Sequence, residues 1–387
     1  MKICLAISEF NPFHAGHARF LERCRETGAD RVICLLSGNF TQRGELAVLE
    51  KRERAKLALA FGADAVIELP SPVATANAER FASGAVALFS GVKAEKCLCC
   101  GVETGDAPLY LRAAEFFSAE PQDYRAAIAK LLKKGLPLPK AREEALYAVD
   151  RVEFAPLLSR PNALLALEYA KACKRAGISF FCYEREGDHN EKNLPVTEKT
   201  AVSSSAVREA LKAGKRAETE AVVPAECFRL LPERVYDGAD ALFGALLSKK
   251  KEELAVLPDC SEGLHNRIYR ALFEAAGYAD FLEKVKSKRY VASRIRRIAV
   301  SAFLGITENV AVQTAKKPPY LRLLGLKKGS EDVLAVLSTA KAPLLTRAKD
   351  AEILTGAAKS SYLADLRGEA LFRYYYGSGR VPFFVKF

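Results

Sequence analysis

The chain is 387 residues long, half of them apolar, with a formal net charge of +12, enough to bury one large core or two moderate ones. It holds no run of about 18 apolar residues, and its first residues enter a strand-like run directly rather than a signal-type segment. A membrane span and export are therefore excluded as expectations, and a cytoplasmic protein is expected.

The first predicted element is a strand over residues 3–7, which runs into Glu9-Phe10-Asn11-Pro12-Phe13-His14-Ala15-Gly16-His17. The chain has only four histidines, and two of them stand three apart here. In a helix over 16–27 both imidazoles project from the first turn toward one point, at the crevice where an α/β sheet holds phosphates. Two imidazole donors suit the negative charge that builds on an α-phosphate under attack. The alternative is that His14 caps the helix and His17 packs against the sheet.

A second strand (32–36) leads into Ser37-Gly38-Asn39-Phe40-Thr41-Gln42-Arg43-Gly44-Glu45, then Glu50-Lys51 and Arg54 on a helical pattern over 51–61. A third strand (65–69) carries Ile67-Glu68-Leu69-Pro70, and a helical pattern follows over 78–90. Strands at 97–101 and 180–183 continue an alternation that argues for a parallel sheet with helices on both faces. Residues 107–150 lack strand signals and show a helical pattern on either side of Gly135-Leu136-Pro137-Leu138-Pro139, a helical insertion. Asn162 either bonds a nucleotide or caps a helix beginning at Ala163. Arg185, at a strand's end, sits where such sheets place ligand residues, or forms a surface ion pair. Ser203-Ser204-Ser205-Ala206-Val207-Arg208 opens a helix to about residue 212. Its hydroxyls and N–H groups make an anion site to which Arg208 adds a fixed charge, or the run is an ordinary N-cap.

From about residue 220 the apolar spacing is helical nearly throughout. Residues 284–328 hold twelve Lys or Arg against one acid, Glu308. That concentration suits counterion-releasing contacts with a phosphate backbone, RNA in preference to a merely solvated face. The chain thus divides into an α/β part (1–215, with the insertion at 107–150) and a mainly helical basic part (216–387), whose aromatic tail is expected to fold back as an extended segment. Of ten cysteines, Cys4, Cys34, Cys97 and Cys99 lie in strand-like runs and read as buried reduced thiols. Cys97, Cys99 and Cys100 lack a second Cys/His cluster, so no metal site is expected.

The succession strand, HxGH, helix, strand, SGNFTQRGE, helix, strand resembles the bacterial tRNA(Met) cytidine acetate ligase family of the HxGH nucleotidyltransferase superfamily. The resemblance continues through Cys99-Cys100-Gly101-Val102-Glu103, Pro161-Asn162, Arg185, His189 and the Ser203–Arg208 run. It extends to Glu262-Gly263-Leu264-His265-Asn266-Arg267 and Lys286-Ser287-Lys288-Arg289-Tyr290. The chain departs from the family pattern at Ala15, Phe20, Cys100 and Asp188, and the last puts in doubt an aromatic role before His189.

The resemblance implies a Rossmann-like sheet of the HxGH nucleotidyltransferase type followed by a mostly α-helical domain. Its ATP pocket would comprise Ile7, Ser8, Glu9, Phe10, Asn11, Pro12, Phe13, His14, Ala15, Gly16, His17, Ala18, Arg19 and Phe20, with Gly101, Asn162 and Arg185. His14 and His17 would be catalytic, Ser205 and Arg208 a second phosphate clamp, and His189 a lining residue; His265 would be structural or RNA-facing. The implied reaction joins acetate to ATP, with Mg²⁺, as acetyl-adenylate, then transfers acetyl to N4 of the wobble cytidine of elongator tRNA(Met). Lys286, Lys288, Arg289, Arg294 and Arg297 would hold the tRNA. Competing readings are a small-molecule nucleotidyltransferase, a non-catalytic RNA binder on the same scaffold, and a relative of class I aminoacyl-tRNA synthetases.

Overall fold

In the computed structural model, residues 1–185, 202–377 and 383–387 are described. Five parallel strands form the sheet's N-terminal part: β1 (Lys2–Ser8), β2 (Arg31–Ser37), β3 (Ala65–Leu69), β4 (Glu95–Val102) and β5 (Ser179–Glu184). Each contains its predicted strand. Apart from Glu68 in β3, the central runs of β1 to β4 are apolar without interruption because both faces are covered. Ile3, Leu5, Ile33 and Leu35 join one core, while Cys4, Ala6, Val32 and Cys34 join the other. Helices α1 (Ala15–Glu26) and α2 (Lys51–Ala60) and the helix Ser204–Lys212 cover the second face; Ala78–Ala87 and Pro161–Ala176 pack on the first. All ten cysteines are free thiols, and nine of them are buried.

The strand order is β5-β4-β1-β2-β3. The chain builds outward from β1 to β3, then crosses back to lay β4 and β5 on the other side of β1. The order therefore reverses between β1 and β4, and an open α/β sheet binds ligands in the crevice beyond the C-terminal ends at that point. Ser8 ends β1 there, and Val102 ends β4.

Three sequence expectations need correction. The insertion holds three helices, Ala107–Ala119, Gln122–Lys133 and Leu138–Ala148, because Glu120 turns left-handed (φ 40°) ahead of Pro121 and splits the first pattern. The C-terminal part does build a helical core around Leu246, Ile268, Phe281 and Ile298, but Leu321–Leu326 returns to the sheet as β6. It pairs antiparallel with β3 and covers an edge that would otherwise be open. The short strands β7 (Leu344–Leu345) and β8 (Val385–Lys386) pair with β6. Of the aromatic tail, residues 373–376 finish the helix Gly356–Tyr376 and are not extended, while Val385–Lys386 is a strand.

A buried charge network holds this return in place. Lys51 on α2 meets Glu68 on β3, and also Glu369 on the helix Gly356–Tyr376 at 2.8 Å. Arg322 on β6 meets the same two carboxylates at 3.2 and 2.8 Å. The Lys51, Glu68 and Arg322 side chains are at most 1% exposed. Removing one partner strands the other charges in a dry interior, so Glu68→Ala is expected to cost about 3–5 kcal/mol, read as a lowered urea midpoint at unchanged slope.

Candidate active site

The HxGH turn begins where β1 ends. His14 is the N-cap of α1 and its Nδ1 accepts the Gly16 N–H at 3.1 Å. In return, the Nδ1 of His17 accepts the His14 N–H at 3.3 Å, and the two rings stack with centroids 3.8 Å apart. This is a capping box built from two imidazoles. Because each Nδ1 acts as an acceptor, each neutral ring carries its hydrogen on Nε2. Capping and donation to a ligand thus use different nitrogens, and the two sequence readings of these histidines are compatible.

The 37–50 loop is locked against this turn. Oδ1 of Asn11 accepts the Val48 N–H (2.8 Å) and Oδ1 of Asn39 accepts the Lys51 N–H (3.0 Å). Arg54, fully buried, donates to the carbonyls of Glu9 (2.6 Å), Leu49 (3.0 Å) and Gly38. Burial pushes its guanidinium down to about 10, which leaves it charged at neutral pH. The serine run closes the third side. Ser203 is the N-cap, accepting the Ala206 N–H at 3.0 Å, and Ser204 donates to the Pro12 carbonyl at 3.2 Å. Arg208 reaches across to the Asn11 carbonyl (2.8 Å), to Ser205 Oγ (3.2 Å) and to Glu45 (3.3 Å).

These elements enclose a cavity of ≈ 720 Å³ at the switch point. Of the residues expected there, Ile7, Ser8, Glu9, Phe10, Asn11, His14, His17, Phe20, Gly101, Asn162, Arg185, Ser205 and Arg208 line it; Pro12, Phe13, Ala15, Gly16, Ala18 and Arg19 do not. Phe13 is fully buried and stacks on Phe61 at 5.0 Å, a packing role. Asn162 is no N-cap, since the helix already starts at Pro161; its Nδ2 donates to Glu103 at 2.8 Å. Arg185 lies across Gly101, where an added Cβ would come within 2.7 Å of the arginine Cγ and 2.8 Å of Nε. His189 lies outside the described residues.

The cavity also takes residues that sequence reasoning did not place in the site: Gln42, Arg43 and Glu45 of the 37–50 loop, Tyr169, and Ser293 and Arg296 of the helical part. Glu45 bonds Arg208 on one side and Arg296 (3.0 Å) on the other. The presence of Gln42, Arg43 and Glu45 within a quoted motif was the available signal; nothing local marked Ser293 or Arg296. Glu9 accepts the Gln42 N–H at 2.7 Å, and burial holds its carboxyl above the usual range.

The basic stretch looks different in space. Arg297, expected among the tRNA contacts, lines the cavity and bonds Asp259 (2.9 Å) at 8% exposure. Arg322 belongs to the buried network. Arg294 donates to the Asp259 carbonyl (2.8 Å) and Ser261 (3.0 Å), Arg289 to Glu262 (3.2 Å) and Lys286 to Glu283 (3.3 Å). Acids outside the stretch thus meet many of its cations. Arg289 and Lys286 remain exposed, as does Lys288, and His265 is half-buried.

The chain matches the family described as HIGH nucleotidyl transferase over residues 1–379. It is similar to the tRNA(Met) cytidine acetate ligase of Clostridium acetobutylicum, 34% identical over 367 residues and 90% of each chain. The protein of that name from Thermoanaerobacter sp. strain X514 is 35% identical over 361 residues, 90% of this chain and 89% of the other. Among solved structures, Thermotoga maritima TmcAL bound with alpha-thio ATP superposes with a TM-score of 0.86 at 28% identity, covering all of both chains. Its apo form does so with a TM-score of 0.87.

Gly101→Ala is expected to push the Arg185 side chain off the cavity wall and weaken nucleotide binding by about tenfold or more, the worth of a charged hydrogen bond. Calorimetric titration against an unchanged melting temperature checks this.

Proposed function

We propose a two-step reaction for this chain, which belongs to the HIGH nucleotidyl transferase family and, within it, to the tRNA(Met) cytidine acetate ligases. It activates acetate with ATP and acetylates N4 of the wobble cytidine of elongator tRNA(Met). The observation that carries the reading is the convergence of the two capped imidazoles, the serine helix start and Arg208 on one cavity at the switch point.

ATP occupies the cavity with its adenine side toward Gly101, Asn162 and Arg185. Its phosphates lie toward His14, His17, Ser205 and Arg208. A carboxylate oxygen of acetate attacks the α-phosphorus in line, and pyrophosphate leaves. The Nε2–H groups of His14 and His17 stabilise the charge that develops on the α-phosphoryl oxygens, and Arg208 that on the departing pyrophosphate. The catalysis is positioning and electrostatics, which is why no nucleophile is needed on the protein. In the second step N4 of an unstacked cytidine attacks the acetyl carbonyl carbon and AMP leaves, so the base has to be splayed out of the anticodon loop. Mg²⁺ would enter with the triphosphate, held by phosphate oxygens and water. Among the described residues no three His, Cys, Asp or Glu side chains converge as a metal site. Lys286, Lys288 and Arg289 provide exposed charge for the tRNA backbone.

The test is ATP–pyrophosphate exchange without RNA: exchange that depends on acetate supports the reading, and its absence with and without tRNA removes it. Two substitutions at His14 separate its roles. His14→Asn keeps a good N-cap and should retain the melting temperature, yet lose adenylation by about 100-fold or more; His14→Ala should lose about 1 kcal/mol of stability as well. Neutralising Lys286, Lys288 and Arg289 together should weaken tRNA binding and flatten its log–log salt slope by about 2–3, with acetate-dependent exchange retained.

A further inference from the structure

The second step needs something the first does not. The N4 lone pair of cytosine is delocalised into its ring, so N4 is a weak nucleophile that cannot carry positive charge through the attack. A base that takes its proton as the new bond forms lowers that barrier. Among the described residues, the cavity lining holds few groups able to accept it. Glu45 is engaged by Arg208 at 3.3 Å and Arg296 at 3.0 Å. His14 and His17 use Nδ1 as the acceptor inside the capping box, which leaves Nε2 as the N–H of each neutral ring. Burial holds the Cys100 thiol and the Tyr169 phenol protonated.

Glu9 remains. It lines the cavity at the end of β1, next to the HxGH turn. Its Oε1 accepts the Gln42 N–H at 2.7 Å, and its backbone carbonyl is held by Arg54 at 2.6 Å, so the residue is fixed at both ends. Among the described residues Oε2 takes no hydrogen bond. A carboxylate is also the group that accepts from the cytosine N4 amine, whereas uracil would present an oxygen to it.

We infer that Glu9 is the proton acceptor of the transfer step. As N4 attacks the acetyl carbonyl carbon, the C–N bond forms, the bond from that carbon to the AMP oxygen breaks, and the N4 proton passes to the Glu9 carboxylate. This rests on the two-step reaction above. The charged and titratable groups facing Glu9 are Arg43 and Glu45 of the 37–50 loop, Arg208 of the helix Ser204–Lys212, Arg54 of α2 and Tyr169 of the helix Pro161–Ala176. Burial raises its carboxyl toward the working pH, while the Gln42 N–H, Arg208 and Arg43 oppose the rise. The base form is needed, so transfer falls as pH drops through this group, at a pH above the ordinary carboxylate range.

The experiment forms acetyl-adenylate on the enzyme from ATP and labelled acetate, then mixes it with excess tRNA(Met) and follows one turnover. ATP–pyrophosphate exchange is measured in parallel. Glu9→Gln is isosteric, and its amide oxygen can still accept from Gln42. Transfer is expected to fall about 100-fold more than exchange does, and the acidic limb of the transfer pH profile to vanish; Glu9→Asp recovers part of both. Equal losses in the two assays would place Glu9 in the ATP step, and wild-type transfer by Glu9→Gln would give the proton to water or the departing phosphate; either overturns the inference. A wild-type protein without acetate-dependent exchange overturns the two-step reading itself, and this inference with it.

Discussion

The site depends on a buried ion network that lies outside the cavity lining. Lys51, Glu68, Arg322 and Glu369 come from α2, β3, β6 and the helix Gly356–Tyr376, and their contacts span both ends of the chain. Charges in a dry interior are tolerable only with close opposite partners, so these four elements are held in one arrangement. The N-terminus of α2 is fixed as a consequence, and with it Arg54, whose guanidinium gathers the Glu9, Gly38 and Leu49 carbonyls. Those carbonyls belong to the two loops that form one wall of the cavity. The Glu50-Lys51, Arg54 and Glu68 residues of the sequence pattern are the frame behind the chemistry and make no part of the cavity lining.

The HxGH turn shows how a structural and a chemical demand can share one residue. A helix start buried beside a sheet needs its first N–H groups satisfied, and Ser, Thr, Asp or Asn is the usual means. Histidine meets the need with Nδ1 and still presents Nε2–H two bonds away across a rigid ring. The stacking of His14 on His17, and the packing of Phe10 and Phe13 around His17 at 4.9 and 5.5 Å, leave the rings little freedom. Donors held this way cost no reorganisation when charge develops in front of them.

Much of the α/β part was legible because its signals are local. Strands buried on both faces read as short unbroken apolar runs, and the turn following β1 lies at a topologically special place whatever its residues. Leu321–Leu326 was missed because an apolar run with an arginine at its second position looks like any helical segment. Only the partner strand, more than 250 residues earlier, makes it a strand. The charge count was incomplete for the same reason. Residues 284–328 are nearly free of acids in sequence, yet Asp259, Glu262, Glu283 and Glu45 meet them in space. A one-dimensional count cannot see a carboxylate that arrives from another element, and Arg296 and Glu45 are 251 positions apart.

That last pair bears on how the two parts of the chain work together. Gly44 packs so closely on the helix Ala292–Leu304 that a Cβ there would meet the Arg296 carbonyl carbon at 2.7 Å. The 37–50 loop is thus seated on the helical part as well as on the sheet. Glu45, between Arg208 and Arg296, keeps one guanidinium from each part beside the cavity before any substrate arrives. A carboxylate in that position neutralises the arginines enough to hold them close, and a phosphate that enters competes for donors already aimed. Both halves of the reaction need an anion held near the HxGH turn, first the triphosphate and then the acyl-linked phosphate of the adenylate. A cavity walled by sheet, serine helix and helical part can keep that phosphate in place while the attacking group changes from acetate to cytidine.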